Sequence, residues 1–393
     1  MPHRPETGPS TRCIHGGRDR RAGLALPVSP SAVYEFATLE DAIATFQNRR
    51  DGYIYSRYAH PTGNEVERRL AAVQGTEAAV LCSSGMAAIA LTMLAFCRAG
   101  DHLLASRELY GGTTDLLKEY APGLGLEVEF VPLEDLGHLA SRVRENTKLV
   151  FVESPSNPMA HVVDFESLFA GIGDGVPPLM VIDSTLATPL GHDPVGAGFD
   201  VIIHSGTKYL GGHDDLVAGV VLGRSELMQQ VEARRRIFGA TCDPQTAWLL
   251  ERGLKTLSVR WERQCTSAGY LAGKLENHPR VERVHYPGLP SHPHHVLARK
   301  QMQSFGALLA FEVAGGLEGA RSTFDALQLI ARAPSLGGVD SMVLHPPTAS
   351  HRSMSPAERE EIGISDGMLR LSVGIEDPED LWADLDQALG VSG

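Results

Sequence analysis

Lys208 is the residue of this 393-residue chain whose setting first suggests chemistry. It closes the run Asp200-Val201-Ile202-Ile203-His204-Ser205-Gly206-Thr207-Lys208-Tyr209, an apolar strand that ends in small hydroxylated residues and an amine. A lone lysine is ordinarily a solvated surface cation. Three features set this one apart. It follows an apolar strand, where α/β sheets place ligands. Ser205 and Thr207 supply hydroxyls suited to phosphate oxygens. Gly211-Gly212 follows and lets the backbone come close to a ligand.

Two further segments extend the set. In Val181-Ile182-Asp183-Ser184-Thr185 a carboxylate ends another apolar strand, 25 residues before Lys208, one crossover away. Alone, Asp183 reads equally well as a turn or cap. Paired with Lys208 it suggests an anion for a pyridine nitrogen, because an opposite charge keeps that nitrogen protonated. A protonated pyridine ring is an electron sink for a carbanion. In Cys82-Ser83-Ser84-Gly85-Met86-Ala87-Ala88 a strand runs through a turn into a helix. The free amides and the positive dipole end there suit an anion, although a plain N-cap looks the same. Amine, carboxylate and anion cup together form the set that pyridoxal phosphate requires.

The elements that must position these groups alternate from Glu65 onward. Strands are expected at 79–82, 102–105, 128–131, 149–152, 179–182, 201–204 and 217–223, with amphipathic stretches such as Leu133–Val143 between them. Near-continuous apolar strands alternating with helices mean a mostly parallel sheet covered on both faces. Helices at 226–236, 244–256 and 259–275 follow, then strands at 281–286, 307–311, 327–330 and 369–372. These define a smaller α/β unit, with a boundary near residue 260. Residues 1–60 show little periodicity and read as an extended arm packed on a neighbouring subunit.

Composition narrows the partners. The chain is 43% hydrophobic and 21% charged, with a net charge of −13. That balance argues against nucleic acid or an anionic membrane as the main partner. Five widely spaced cysteines without a C-x-x-C pair fit a reducing compartment. Met1-Pro2-His3-Arg4-Pro5 lacks an apolar signal region, and the apolar stretch near Met86–Phe96 is too short to span a bilayer, so a cytoplasmic protein is expected. Ser291-His292-Pro293-His294-His295 reads as a polar loop, since no Cys or carboxylate completes a metal set. Cys82 and Cys242 read as buried small hydrophobes. The chain has no G-x-x-x-x-G-K-[ST] phosphate loop.

The motifs resemble one family throughout. Tyr55-Ser56-Arg57-Tyr58, Ser84-Gly85-Met86-Ala87-Ala88, Tyr110-Gly111-Gly112-Thr113, Glu153-Ser154-Pro155-Ser156-Asn157-Pro158, His204–His213, Arg252–Leu257, Ser335-Leu336-Gly337-Gly338 and Arg370–Glu376 are similar to the Cys/Met-metabolism (trans-sulfuration) family of pyridoxal-phosphate enzymes. The resemblance runs from about Thr11 to Leu389. It implies the fold-type-I architecture: a large domain with a mostly parallel seven-stranded sheet at 61–260, a small C-terminal α/β domain at 261–393, and an N-terminal arm at 1–60. It implies a homotetramer, a dimer of dimers with shared active sites.

It also implies roles. Lys208 would be the Schiff-base lysine and proton shuttle, and Asp183 the partner of the pyridine nitrogen. Gly85, Met86, Ser205 and Thr207 would contact phosphate, and Tyr55 and Arg57 would reach a neighbouring subunit's phosphate. Tyr110 would stack on the cofactor and handle protons, Asn157 would bond its phenolic oxygen, and Ser335 and Arg370 would clamp the substrate carboxylate, with Asn157 close by. The implied reaction is γ-elimination on cystathionine or a related sulfur amino acid, giving a 2-oxo acid, ammonia and a thiol. The rival is γ-replacement on an activated homoserine ester; a catalytically dead homologue would be expected to lack Lys208 or Asp183. Five positions depart from the family pattern: His60, Gly63, Ser184, Leu186 and Pro334. They bear on substrate choice.

Overall fold

The computed structural model describes residues 7–18, 23–173, 175–352 and 354–390; the Met1–Pro5 segment read above lies outside them. Seven strands form the large sheet: β1 (Ala78–Cys82), β2 (His102–Ser106), β3 (Glu127–Val131), β4 (Thr147–Glu153), β5 (Leu179–Asp183), β6 (Val201–Ser205) and β7 (Gly219–Gly223). Their order is β1-β7-β6-β5-β4-β2-β3. Most of these strands are buried along their length, which is why they read as unbroken apolar runs. β7 alone runs antiparallel, between β1 and β6. No helix lies in the connection 206–218, so the chain turns back instead of crossing over.

A second sheet holds β8 (Val281–His285), β9 (Leu308–Val313), β10 (Ala331–Arg332), β11 (Met342–Leu344) and β12 (Met368–Ser372), in the order β10-β11-β12-β9-β8. The helix Leu257–Glu276 packs against β8 and β9 and buries Trp261, Ala268, Leu271 and Leu275. One apolar cluster joins this helix to the large sheet through Tyr209, Leu210 and Leu254.

Several local expectations are corrected. The segment 327–330 is not a strand. Its amides at Gln328, Leu329 and Ile330 all donate to the Asp384 carboxylate, which takes the place of a ladder partner. Leu133–Ser141 is a 3₁₀ stretch broken at His138 (φ −134°), not a regular amphipathic helix. Among the described residues of 1–60, expected to be an extended arm, two helices form, Pro9–His15 and Leu39–Phe46; Thr38 caps the second by accepting the Asp41 amide. Among the described residues no helix is long and apolar enough to cross a membrane.

Candidate active site

The carboxyl ends of β4, β5 and β6 lie side by side and deliver Glu153, Asp183 and Ser205 to one edge of the sheet. Ligands bind at that edge in open α/β sheets. Beyond β6 the chain makes a tight turn. The Lys208 amide donates to the Ser205 carbonyl at 3.2 Å, and the Gly212 amide to the Lys208 carbonyl at 2.8 Å. The segment Ser335–Gly338, between β10 and β11 of the second sheet, closes directly on this turn. Gly337 has φ +81°, and a Cβ there would sit 2.6 Å from the Tyr209 nitrogen and 3.1 Å from the Lys208 carbonyl carbon. Only glycine permits that backbone and that approach. The loop so placed brings Ser335 Oγ to 3.1 Å from Lys208 Nζ, which donates to it. Burial depresses the Lys208 ammonium, Arg370 adds to the effect, and Asp214 opposes it. A lysine held below its ordinary range is the kind that serves as a nucleophile and a base.

Asp183 is buried at the end of β5. Its Oδ1 accepts the Thr185 amide at 3.0 Å and the Thr185 hydroxyl at 2.5 Å. The same hydroxyl oxygen accepts the Ser205 amide at 2.8 Å. The carboxylate is thereby tied to the strand that carries Lys208. Burial raises the Asp183 carboxyl, and the two Thr185 hydrogen bonds oppose that rise.

Ser84 caps the helix Gly85–Phe96, its Oγ accepting the Ala87 amide at 3.0 Å. The Gly85 and Met86 amides precede the first intrahelical bond and face the helix end, where an anion is favoured. A Cβ on Gly85 would lie 2.9 Å from the Ser205 Cβ, so this cup borders the Lys208 turn directly. The Thr207 hydroxyl is engaged with Ala218, donating to its carbonyl at 3.2 Å and accepting its amide at 3.0 Å. Tyr110 follows β2 and is anchored by its amide, which donates to Glu153 Oε2 at 2.6 Å. Its ring is 45% exposed. A Cβ on Gly112 would fall 3.1 Å from Met86 Sδ and 2.7 Å from Tyr110 Cε1, so the glycines let this loop fold onto the cup.

Arg370, in the middle of β12, is 2% exposed. Its Nη2 donates to the Ser335 carbonyl at 2.6 Å, and its Nε has no partner among the described residues. Burial pulls the guanidinium down to about 10. A buried cation without a carboxylate is costly unless an anion arrives. Asn157 forms the cis peptide Asn157–Pro158, just after the cis Ser154–Pro155, and its Oδ1 is buried without a partner among the described residues. Tyr55 and Arg57 stand apart: Arg57 donates to the Arg236 carbonyl and lies 5.4 Å from the centre of the Tyr55 ring and 4.9 Å from that of Tyr58.

The structure also gives reasons for departures from the motif pattern. His60 accepts the Gly63 amide at 3.0 Å, and a Cβ on Gly63 would lie 2.8 Å from the imidazole Cε1. His60 and Gly63 are therefore one coupled change at a helix start. Leu186 is buried in the main core cluster. The Ser184 hydroxyl is buried without a partner among the described residues, and Pro334 is exposed. The stretch Ser291–His295 is not simply a polar loop. His292 is buried and held at about 4 by desolvation, its ring bonded to the Met159 carbonyl, while His294 Nδ1 accepts the Val162 amide.

The sequence places Glu153 in a motif without assigning it a role and gives no sign of His351. Glu153 ends its strand as Asp183 ends the next, a parallel that was visible. His351, buried beside Arg370 and lowered to about 4 mainly by burial, sits in a loop without periodicity and gave no signal.

The cup, the buried unpartnered Asn157 Oδ1, the Asp183 carboxyl and Arg370, which has no ion-pair partner among the described residues, fit pyridoxal phosphate and a carboxylate-bearing substrate. A seven-stranded sheet of this order, with lysine and aspartate at neighbouring strand ends and a smaller sheet closing over them, defines a fold-type-I pyridoxal-phosphate enzyme. Residues 10–390 match the family described as Cys/Met metabolism PLP-dependent enzyme, and the chain belongs to it. It is 38% identical to an L-methionine γ-lyase of Fusobacterium nucleatum, over 98% of each chain. It is 43% identical to an O-succinylhomoserine sulfhydrylase of Pseudomonas aeruginosa, over 91% of this chain and 88% of that protein. A metY structure from Campylobacter jejuni, solved with N'-pyridoxyl-lysine-5'-monophosphate, superposes with a TM-score of 0.91 at 31% identity, covering 98% of this chain and 100% of that one.

Proposed function

We propose that this enzyme carries out γ-elimination on cystathionine or a related thioether amino acid, yielding a 2-oxo acid, ammonia and a thiol. The observation that carries the reading is the 3.1 Å approach of Lys208 Nζ to Ser335 Oγ beside Arg370, whose guanidinium has no ion-pair partner among the described residues, so that a base would stand next to a carboxylate clamp. Lys208 would hold the cofactor, Asp183 its ring nitrogen, Gly85, Met86, Ser205 and Thr207 its phosphate, and Asn157 its phenolic oxygen. When bound, pyridoxal phosphate supplies an aldehyde for the substrate amine and a protonated ring that takes up electrons from the α-carbon.

The chain's own groups do the rest. Arg370 and Ser335 hold the substrate carboxylate and so orient the Cα–H bond toward Lys208. Lys208 Nζ, with its depressed pKa, takes the α-proton and then a proton from Cβ, and the electrons of that Cβ–H bond expel the sulfur from Cγ. The Tyr110 hydroxyl, on a backbone fixed by Glu153, would protonate the departing sulfur. Water then completes the balance, releasing ammonia and the 2-oxo acid.

The methionine γ-lyase relatives support elimination. The sulfhydrylase relative supports the second reading, γ-replacement on an acyl-homoserine. Tyr55 and Arg57, which bond and stack among themselves and with Tyr58 and Arg236, would reach a neighbouring subunit's phosphate in a homotetramer with shared sites, and the enzyme would be cytoplasmic. The two sheets support a division into 61–260 and 261–393, with the helix Leu257–Glu276 running across it. Incubation with cystathionine, methionine and acyl-homoserines, with and without thiols, tests the reaction. 2-Oxobutyrate and ammonia without a second nucleophile are expected; an absolute requirement for a nucleophile would overturn elimination.

A further inference from the structure

Glu153 and Asp183 are register partners at the ends of the parallel strands β4 and β5. Such partners project from the same face of a sheet. Both carboxyl groups are buried, at 6% and 7% exposure. Two adjacent carboxyls removed from water do not both ionise, so one of them keeps a proton.

The donors decide which. Asp183 accepts two hydrogen bonds from Thr185, one from the amide and one from the hydroxyl. Glu153 accepts the Tyr110 amide. The charged groups that act on Glu153 are Asp183 from β5 and Glu108 from the loop after β2, and both are acidic. Glu108 itself is held below the usual carboxylate range: its burial is more than offset by hydrogen bonds from His161 and Ser156, and His294 adds to the lowering. Glu108 thus presents a negative charge on that side. Burial and Asp183 together push the Glu153 carboxyl well up.

We propose that Glu153 is a positioning residue: a neutral carboxylic acid beside Asp183 that fixes the Tyr110 backbone and leaves the negative charge of the pair on Asp183. The proposal rests on reading Asp183 as the partner of the cofactor's ring nitrogen. An acid that kept its charge there would compete with Asp183; a hydrocarbon would release the Tyr110 amide.

Glu153→Gln keeps size, neutrality and an acceptor, whereas Glu153→Leu keeps only size. In infrared spectra at neutral pH, recorded both with and without pyridoxal phosphate, the wild type is expected to show a protonated-carboxyl band that E153Q lacks. E153Q is expected to keep the wild-type pH profile. E153L is expected to lose roughly tenfold in kcat with little change in KM, the scale of one lost buried hydrogen bond at a reacting group. A wild type without the band, or a band that survives in E153Q, overturns the proposal. So does E153Q behaving like E153L, or E153L behaving like the wild type. If E153L does not fold, the infrared comparison and the E153Q profile decide. A wild type that gains no visible absorbance with pyridoxal phosphate defeats the functional reading instead, and the cofactor-free infrared spectrum still judges Glu153.

Discussion

Arg370→Met is expected to make the protein more stable and less useful. The guanidinium is 2% exposed and held at about 10, against an ordinary 12.5. That depression corresponds to about 3 kcal/mol of destabilisation of the charged form in the fold. Since the folded value lies below the unfolded one, the penalty is complete at neutral pH and is relieved only as pH rises from about 10 toward 12.5. Methionine loses the hydrogen bond to the Ser335 carbonyl, which offsets about 1 kcal/mol. The net expectation is a gain of about 2 kcal/mol without substrate. With substrate the sign reverses. Two charge-assisted hydrogen bonds to a carboxylate, at about 1.5 kcal/mol each, correspond to roughly a hundredfold in affinity. Urea unfolding of substrate-free R370M and wild type, alongside KM for the amino acid, measures both halves. A variant that is less stable than wild type, with an unchanged KM, would refute the reasoning: Arg370 would then be a structural cation and not a waiting clamp.

Three further outcomes follow from the geometry. Gly337→Ala forces a left-handed alanine against the Tyr209 nitrogen and should lower stability by about 3 kcal/mol, with loss of the Lys208-dependent visible band; an unchanged urea midpoint would contradict the packing of that loop on Lys208. Gly63→Ala should cost about 1 kcal/mol alone, because its Cβ meets the His60 ring, yet be close to neutral combined with His60→Asn; additive losses in a double-mutant cycle would show the positions to be uncoupled. The folded pKa of Glu108 is depressed, so its contribution is full above the ordinary carboxylate pKa and is lost as pH falls through the folded value. Glu108→Gln should therefore flatten the acid side of the urea-midpoint profile; an acid limb as steep as wild type would exclude that role.

What could be read from the sequence was what strand periodicity and strand ends carry. β1, β2, β4 to β7, β9 and β12 announce themselves as apolar runs and β3 and β8 as mixed ones, and Asp183 and Lys208 stand out because polar groups follow apolar runs. The segment 327–330 has the same apolar look but spends its amides on Asp384, fifty-odd residues away, a contact that no local pattern reports. The short strand Met342–Leu344 was missed for lack of length. In the site, residues on strand ends and Gly-rich turns were legible. Arg370, Asn157 and Ser335 entered only through motif resemblance, since their approach to Lys208 depends on how the second sheet closes. His351 and the neutral role of Glu153 depend on burial and on neighbours distant in the chain.

The central claim is that Lys208 holds pyridoxal phosphate. Borohydride reduction of the protein incubated with the cofactor, followed by proteolysis and mass analysis, tests it directly. The pyridoxyl mass is expected on the peptide containing Lys208, with the visible absorbance lost in Lys208→Ala. A label on a different lysine, or an unchanged visible band in Lys208→Ala, would contradict the account.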